Sequence, residues 1–164
     1  MACSTTEQAK LNDKDVAMEW ANMTLYITRY TPSNSPTFAS RAFGYIGLTM
    51  YESIVPGFEE YNSMNGQLKG LVSLPEIDPT KDYNWALSLN AGQSEILKKI
   101  YVQTSEENIL KIDSLEQVVF NQFQQGIDNE TVLRSVAFGK SVANTIFEWS
   151  KTDGGHRGYL HNFD

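Results

Sequence analysis

Both histidines of the chain, His156 and His161, sit near its end, with Asp153 and Asp164 on either side. Imidazoles and carboxylates together form the donor set of a transition-metal site. The spacing matches no standard ligand pattern, and no helical His-x3-His pair is present. A loop packed on its neighbours accounts for the same residues without a metal. A metal-binding tail would instead retain stoichiometric zinc or copper. Arg41 and Glu52 are the other charged residues that call for an explanation, because both fall in a segment that is otherwise apolar on nearly every side. A charge in such a setting must pair or reach water. Eleven positions apart on a helix, about three turns, they cannot pair with each other. Each is expected to meet a partner on another element or to lie at an exposed edge. Arg41, with His156 and Arg157 in the tail, is a candidate for lining a site.

Cys3 is the only cysteine, so no internal disulfide can form. It follows Met1-Ala2 and precedes Ser4-Thr5-Thr6, a small residue before and a short polar run after. That resembles the end of a bacterial lipoprotein signal, in which the cysteine is lipidated and the polar run is a tether. On this reading residues 1–11 are a flexible tether and the protein works outside the cytoplasm, as a periplasmic or outer-membrane lipoprotein. The competing reading is an ordinary surface cysteine, too far from any histidine in sequence to act as a nucleophile. No nucleophile elbow, P-loop or glycine-rich dinucleotide turn occurs.

The elements that must hold these residues are helices. The chain has 164 residues, 41% hydrophobic and 20% charged, enough for one domain with its own core. Its net charge of -7 opposes binding to nucleic acid or to an anionic membrane surface. A membrane contact would come only through a lipid on Cys3. No apolar run approaches the ~18 residues of a membrane span.

Val16, Trp20, Met23, Ile27 and Tyr30 recur at steps of four and three, and predict a helix over 14–30 capped by Asn12 or Asp13. Ser35-Pro36 opens a second, running to about Val55 before Pro56-Gly57. Its apolar residues point almost all round, the pattern of a buried helix. Ser40, Gly44 and Gly47 keep one side small, and close packing by a neighbouring helix is the expected compensation for their low helix propensity. Residues 57–81 are a long connection with Leu68, Leu71, Val72 and Leu74, expected to lie across the core. A third helix is predicted over 83–102. A fourth starts with a capping box between Thr104 and Glu107, and a fifth runs from Asp128 or Asn129 to about Lys151. Alternating β-branched runs are missing. The expected fold is an all-α bundle of about five helices, the second and fifth buried at its centre, in a single domain over 12–164.

Three stretches together resemble a known family: 35–57 (SPTFASRAFGYIGLTMYESIVPG), 83–93 (YNWALSLNAGQ) and 135–163 (SVAFGKSVANTIFEWSKTDGGHRGYLHNF). They are similar to the N-terminal helical region of bacterial vanadium-dependent haloperoxidase-like proteins, in the type-2 phosphatidic acid phosphatase superfamily. The resemblance covers about residue 12 to the end and rests on helix-packing segments. It implies an all-helical enzyme holding vanadate, or phosphate in the phosphatase members, in a cage of basic side chains. The family's motifs are a Lys six residues before an Arg-Pro pair, a Ser-Gly-His, and an Arg five residues before a His. This chain has no Arg-Pro, its Gly154-Gly155-His156 lacks the serine, and no His stands at the required distance from Arg41.

No catalytic, cofactor-binding or metal residue is therefore carried over, and the chain alone is expected to be inactive. The resemblance makes it the scaffold of a longer enzyme, whose partner is the C-terminal catalytic half of the same protein and whose vanadate is held there. Whether the parent is an oxidoreductase or a hydrolase is left open. The alternative is a stand-alone helical lipoprotein module that binds a partner or ligand. A severed half should expose a contiguous apolar patch with Trp149, Tyr159 and Phe163, and a complete module should cover it.

Overall fold

A computed structural model of the chain describes residues 11–71, 73–154 and 156–157. Cys3, His161 and Asp164, with Tyr159 and Phe163, lie outside the described residues. Those described form five α-helices and no strand.

Helix α1 spans Asp13–Tyr30. Asn12 caps it by accepting from the amides of Lys14 and Asp15, while the Asp15 carboxylate accepts from the Asn12 amide. The reciprocal pair satisfies donors that the first turn leaves open. Helix α2 spans Pro36–Glu52, with the Ser35 hydroxyl accepting from the Phe38 amide. The chain then tightens into a 3-10 turn over Val55–Gly57, where proline cannot continue the α-helical ladder. After the long connection come α3, Trp85–Ile100, α4, Glu106–Phe123, and α5, Asn129–Ser150. Asp128 caps α5 through the Thr131 amide.

The capping box expected at Thr104 does not form. Ser105 is the cap of α4, accepting from the Asn108 amide. The Thr104 hydroxyl is engaged elsewhere, by the Thr31 hydroxyl at 2.8 Å and the Asn108 side-chain amide at 2.8 Å.

The bundle and its helix number are as expected, but its centre is different. Helix α3 is the hub: it touches all four other helices, and twelve of its sixteen residues are buried. Polar residues on it are hidden because each has a specific partner. Asn90 accepts from Trp20 Nε1 of α1 at 2.9 Å and donates to the Glu116 carbonyl of α4 at 2.9 Å. Ser88 donates to the Ser53 carbonyl, and Gln93 to the Ile46 carbonyl of α2. These polar side chains are the set of pegs that fixes three neighbours around one helix.

Helix α5 lies closest to α3. At Gly139 an added Cβ would collide with the Ser88 carbonyl, and one at Gly92 would lie 3.1 Å from the Gly139 carbonyl oxygen. The two backbones meet at these glycines.

Helix α2, expected at the centre, is buried on one side only. Phe38, Ala42, Tyr45, Ile46 and Thr49 face inward, while Ser40, Phe43, Gly44 and Gly47 are exposed. The close packing expected at Gly44 and Gly47 is absent among the described residues: a methyl group at either would have no neighbour within 4 Å.

The connection after α2 packs down as expected, with Leu71 and Leu74 buried. Glu52 organises it. The residue is 3% exposed, yet its carboxylate is satisfied by the Ser63 hydroxyl at 2.8 Å and the Met64 amide at 2.7 Å. The interhelical cation that sequence reasoning offered for Glu52 is replaced by loop donors.

Candidate functional site

Arg41, Tyr45 and the stretch after α5 come together at one end of α2. Arg41 and Tyr45 are one helical turn apart and therefore share a face. Asp153 reaches them because α5 runs back alongside α2 and its C-terminal turns end there. The Tyr45 hydroxyl lies 2.8 and 2.7 Å from the two Asp153 carboxylate oxygens, so it donates to that carboxylate. Arg41 donates to the Tyr45 oxygen at 3.0 Å and to Asp153 at 3.1 Å. The three groups form a closed polar triangle. Trp149 stands edge-on against the Tyr45 ring, centroids 5.8 Å apart, and anchors itself by donating to the Lys69 carbonyl.

Burial and the Asp153 carboxylate hold the Tyr45 phenol in its protonated form, and its pKa is pushed up to about 12. Arg41 is raised above its ordinary value, chiefly by its hydrogen bond to Tyr45. The triangle thus holds a neutral phenol and a cationic guanidinium at neutral pH. It positions side chains and offers no acid or base poised near neutrality.

Beside the triangle opens an apolar groove of about 530 Å³, with Gly44, Leu48, Tyr51, Met64, Leu68 and Trp149 on its walls. Arg41 and Asp153 stand at its rim.

Tyr45 also borders a second, much smaller cavity of about 40 Å³, where Lys99, His156 and Arg157 converge with Phe147. His156 packs edge-on to Phe147 at 5.6 Å. Lys99 and Lys151 lie over the same ring at 5.2 and 4.7 Å. Burial, then the nearby Arg157 and Lys151, lower the His156 pKa below its ordinary value. Arg157 adopts φ of +51°, a left-handed conformation uncommon for a residue with a side chain.

Among the described residues this corner comes nearest to the cationic cluster that a vanadate or phosphate site requires, and it does not fit one. Lys99 is paired with Glu95 at 3.4 Å, Lys151 with Glu148 at 2.5 Å and Arg41 with Asp153. The space between the cations holds a few water molecules at most, at ~10–15 Å³ for each probe-sized site. A tetrahedral oxyanion needs several donors aimed at its oxygens rather than at neighbouring carboxylates.

Of the site candidates, the structure therefore separates Arg41, in the triangle, from His156 and Arg157, in the corner, with Tyr45 between them. Asp153 belongs to the triangle. The metal cluster of Asp153, His156, His161 and Asp164 includes residues outside those described, and among the described residues no three metal-ligating side chains gather. Tyr45, Lys99 and Phe147 escaped sequence reasoning. Only Tyr45 left a signal, its four-residue offset from Arg41; the others are joined across helices.

No family model and no curated protein sequence matches the chain. A solved structure does, that of a bacterial vanadium-dependent iodoperoxidase. It is 28% identical, with a TM-score of 0.67 over 87% of this chain. The match covers 33% of that protein, so the present chain spans about a third of its length. The helical scaffold is shared with part of a vanadium haloperoxidase.

Proposed function

We propose that the chain is the N-terminal helical scaffold of a vanadium-dependent haloperoxidase-like enzyme, a portion that supports the catalytic helices and does not hold vanadate itself. The observation that carries this reading is the structural match, at 28% identity, to one third of an iodoperoxidase. The paired state of Lys99, Lys151 and Arg41 supports it from the side of chemistry, because cations engaged with carboxylates are poor ligands for a further anion. The partner on this reading is the C-terminal catalytic half of the same protein.

Supplied with vanadate, hydrogen peroxide and iodide or bromide, the 164-residue chain is expected to show no halide oxidation above a vanadate-free control. Vanadate-dependent turnover by this chain would sink the scaffold reading. Stoichiometric vanadate retained through gel filtration would do the same.

A stand-alone binding module is the alternative. Of the apolar patch expected of a severed half, Trp149 is half-buried against Tyr45, and Tyr159 and Phe163 lie outside the described residues; it is the open outer side of α2, with Phe43 40% exposed, that favours the scaffold. No helix of the described residues is long and apolar enough to cross a membrane. We place the protein outside the cytoplasm, anchored through a lipid on Cys3. Cys3→Ser should then move it from the membrane pellet to the soluble fraction, and an unchanged distribution would refute the anchor.

A further inference from the structure

The outer face of α2 is built for contact with a helix that the described residues do not supply. Ser40, Gly44, Gly47 and Tyr51 recur at steps of four, three and four, so they form one stripe along the helix. Two glycines in a helix interior lower its stability without any return inside the described chain, since nothing stands over either of them. Phe43 projects beside the stripe, and the apolar groove of about 530 Å³ begins at Gly44 on the other side. A ridge, a flat floor and a trough on one face are what helix packing needs, with small residues letting the backbones approach.

Charge singles out the same face. From Pro36 to Tyr51, α2 has no acidic residue, although the chain carries -7 overall. Every other helix presents carboxylates: Asp13 and Glu19 on α1, Glu95 on α3, Glu106 and Asp113 on α4, Glu130 on α5. Interface centres are depleted of charge in this way. The match to the iodoperoxidase, which leaves about two thirds of that chain unaccounted for, says what kind of occupant to expect.

We infer that the Ser40–Gly44–Gly47–Tyr51 stripe and its flanking groove are the seam on which an apolar helix of the catalytic remainder of the polypeptide docks, with the Arg41–Asp153 pair fixing one end. The inference rests on the scaffold reading and adds the surface through which the scaffold acts. The occupant is a helix with small and apolar residues on its contact side and no carboxylate at its centre. A carboxylate at that centre would be desolvated among Leu48, Met64, Leu68 and Trp149.

Hydroxyl-radical footprinting of the unsubstituted protein tests this, comparing the 164-residue chain with the polypeptide that continues past Asp164. Phe43 should oxidise readily in the short chain and roughly fivefold or more slowly in the long one, as expected for a residue entering an interface core. Met18, exposed on α1, should oxidise equally in both and serves as the reference. Gly44→Trp in the long polypeptide should restore the reactivity of Phe43. Equal Phe43 rates in both forms overturn the inference, as does a reading frame that closes directly after Asp164. Protection already present in the short chain also overturns it, and the mass in solution then assigns the cover to a second copy or to the chain's own termini. Halide oxidation by the long polypeptide is read separately: protection without turnover keeps the seam and removes the haloperoxidase reading.

Discussion

Two pairs of glycines on this bundle have opposite fates. Gly92 and Gly139 face each other where α3 and α5 meet, and neither position has room for a methyl group. Gly44 and Gly47 are also helical and also spaced to clear one side of their helix, yet nothing among the described residues lies over them. The first pair is a closed seam and the second an open one. A glycine that lowers helix propensity is explained only by what approaches it, and no described residue approaches Gly44 or Gly47.

The sharpest way to break this comparison is to add a methyl group to each side. Gly139→Ala drives a Cβ into the backbone of Ser88, which cannot swing aside as a flexible side chain would. We expect a loss of ~3 kcal/mol or more in urea denaturation. A neutral result would mean that α3 and α5 are not in backbone contact.

The inner side of α2 comes next. Glu52→Ala removes the acceptor for Ser63 Oγ and the Met64 amide beneath the long connection. A loss of ~2 kcal/mol is expected, with limited proteolysis appearing between residues 58 and 84. Unchanged proteolysis would show that the connection is held by its leucines alone.

On the open side the sign should reverse. Gly44→Ala and Gly47→Ala should each stabilise the 164-residue chain, by up to ~1 kcal/mol, through helix propensity and a less flexible unfolded chain. Destabilisation by either would show that the face is already covered.

The smallest effect is expected where the open side ends, at the polar triangle. Arg41 is half-exposed, so Arg41→Ala should cost no more than ~1 kcal/mol. Its clearer signature is spectroscopic. The Arg41 hydrogen bond lowers the Tyr45 pKa and the Asp153 contact raises it. Arg41→Ala should therefore move the phenolate titration upward from about 12, and Asp153→Asn should move it down. A phenol whose pKa rises on folding, from 10.0 to about 12, contributes stability that is complete below pH 10 and is lost as pH climbs toward 12. Tyr45→Phe should flatten that alkaline loss, and an unaltered pH profile would remove Tyr45 from the account.

Much of the scaffold was legible in local sequence. Asn12, Ser35 and Asp128 act as caps where hydrogen-bonding side chains precede apolar periodicity, and the prolines at 32, 36 and 56 stand at helix boundaries. Thr104 misled because a hydroxyl suited to capping found a tertiary partner in Thr31. The site was less legible. Arg41 stood out as a charge on an apolar helix, but its partner Asp153 lies 112 positions away and Tyr45 looked like one more core aromatic. Helix α3 was hardest to place. Ser88, Asn90, Gln93 and Ser94 carry no apolar signal, and only their partners on α1, α2 and α4 show that they are interior.

The sequence alone determined that this is an all-helical chain, where its helices begin and end to within a few residues, and its net charge of -7. Those properties depend on neighbours along the chain and on summed charge. Tertiary structure decided which helix is central, which glycines touch backbone and which face solvent, and that Arg41, Tyr45 and Asp153 form one hydrogen-bonded unit. Those facts depend on distances between residues remote in sequence, which helical periodicity does not encode.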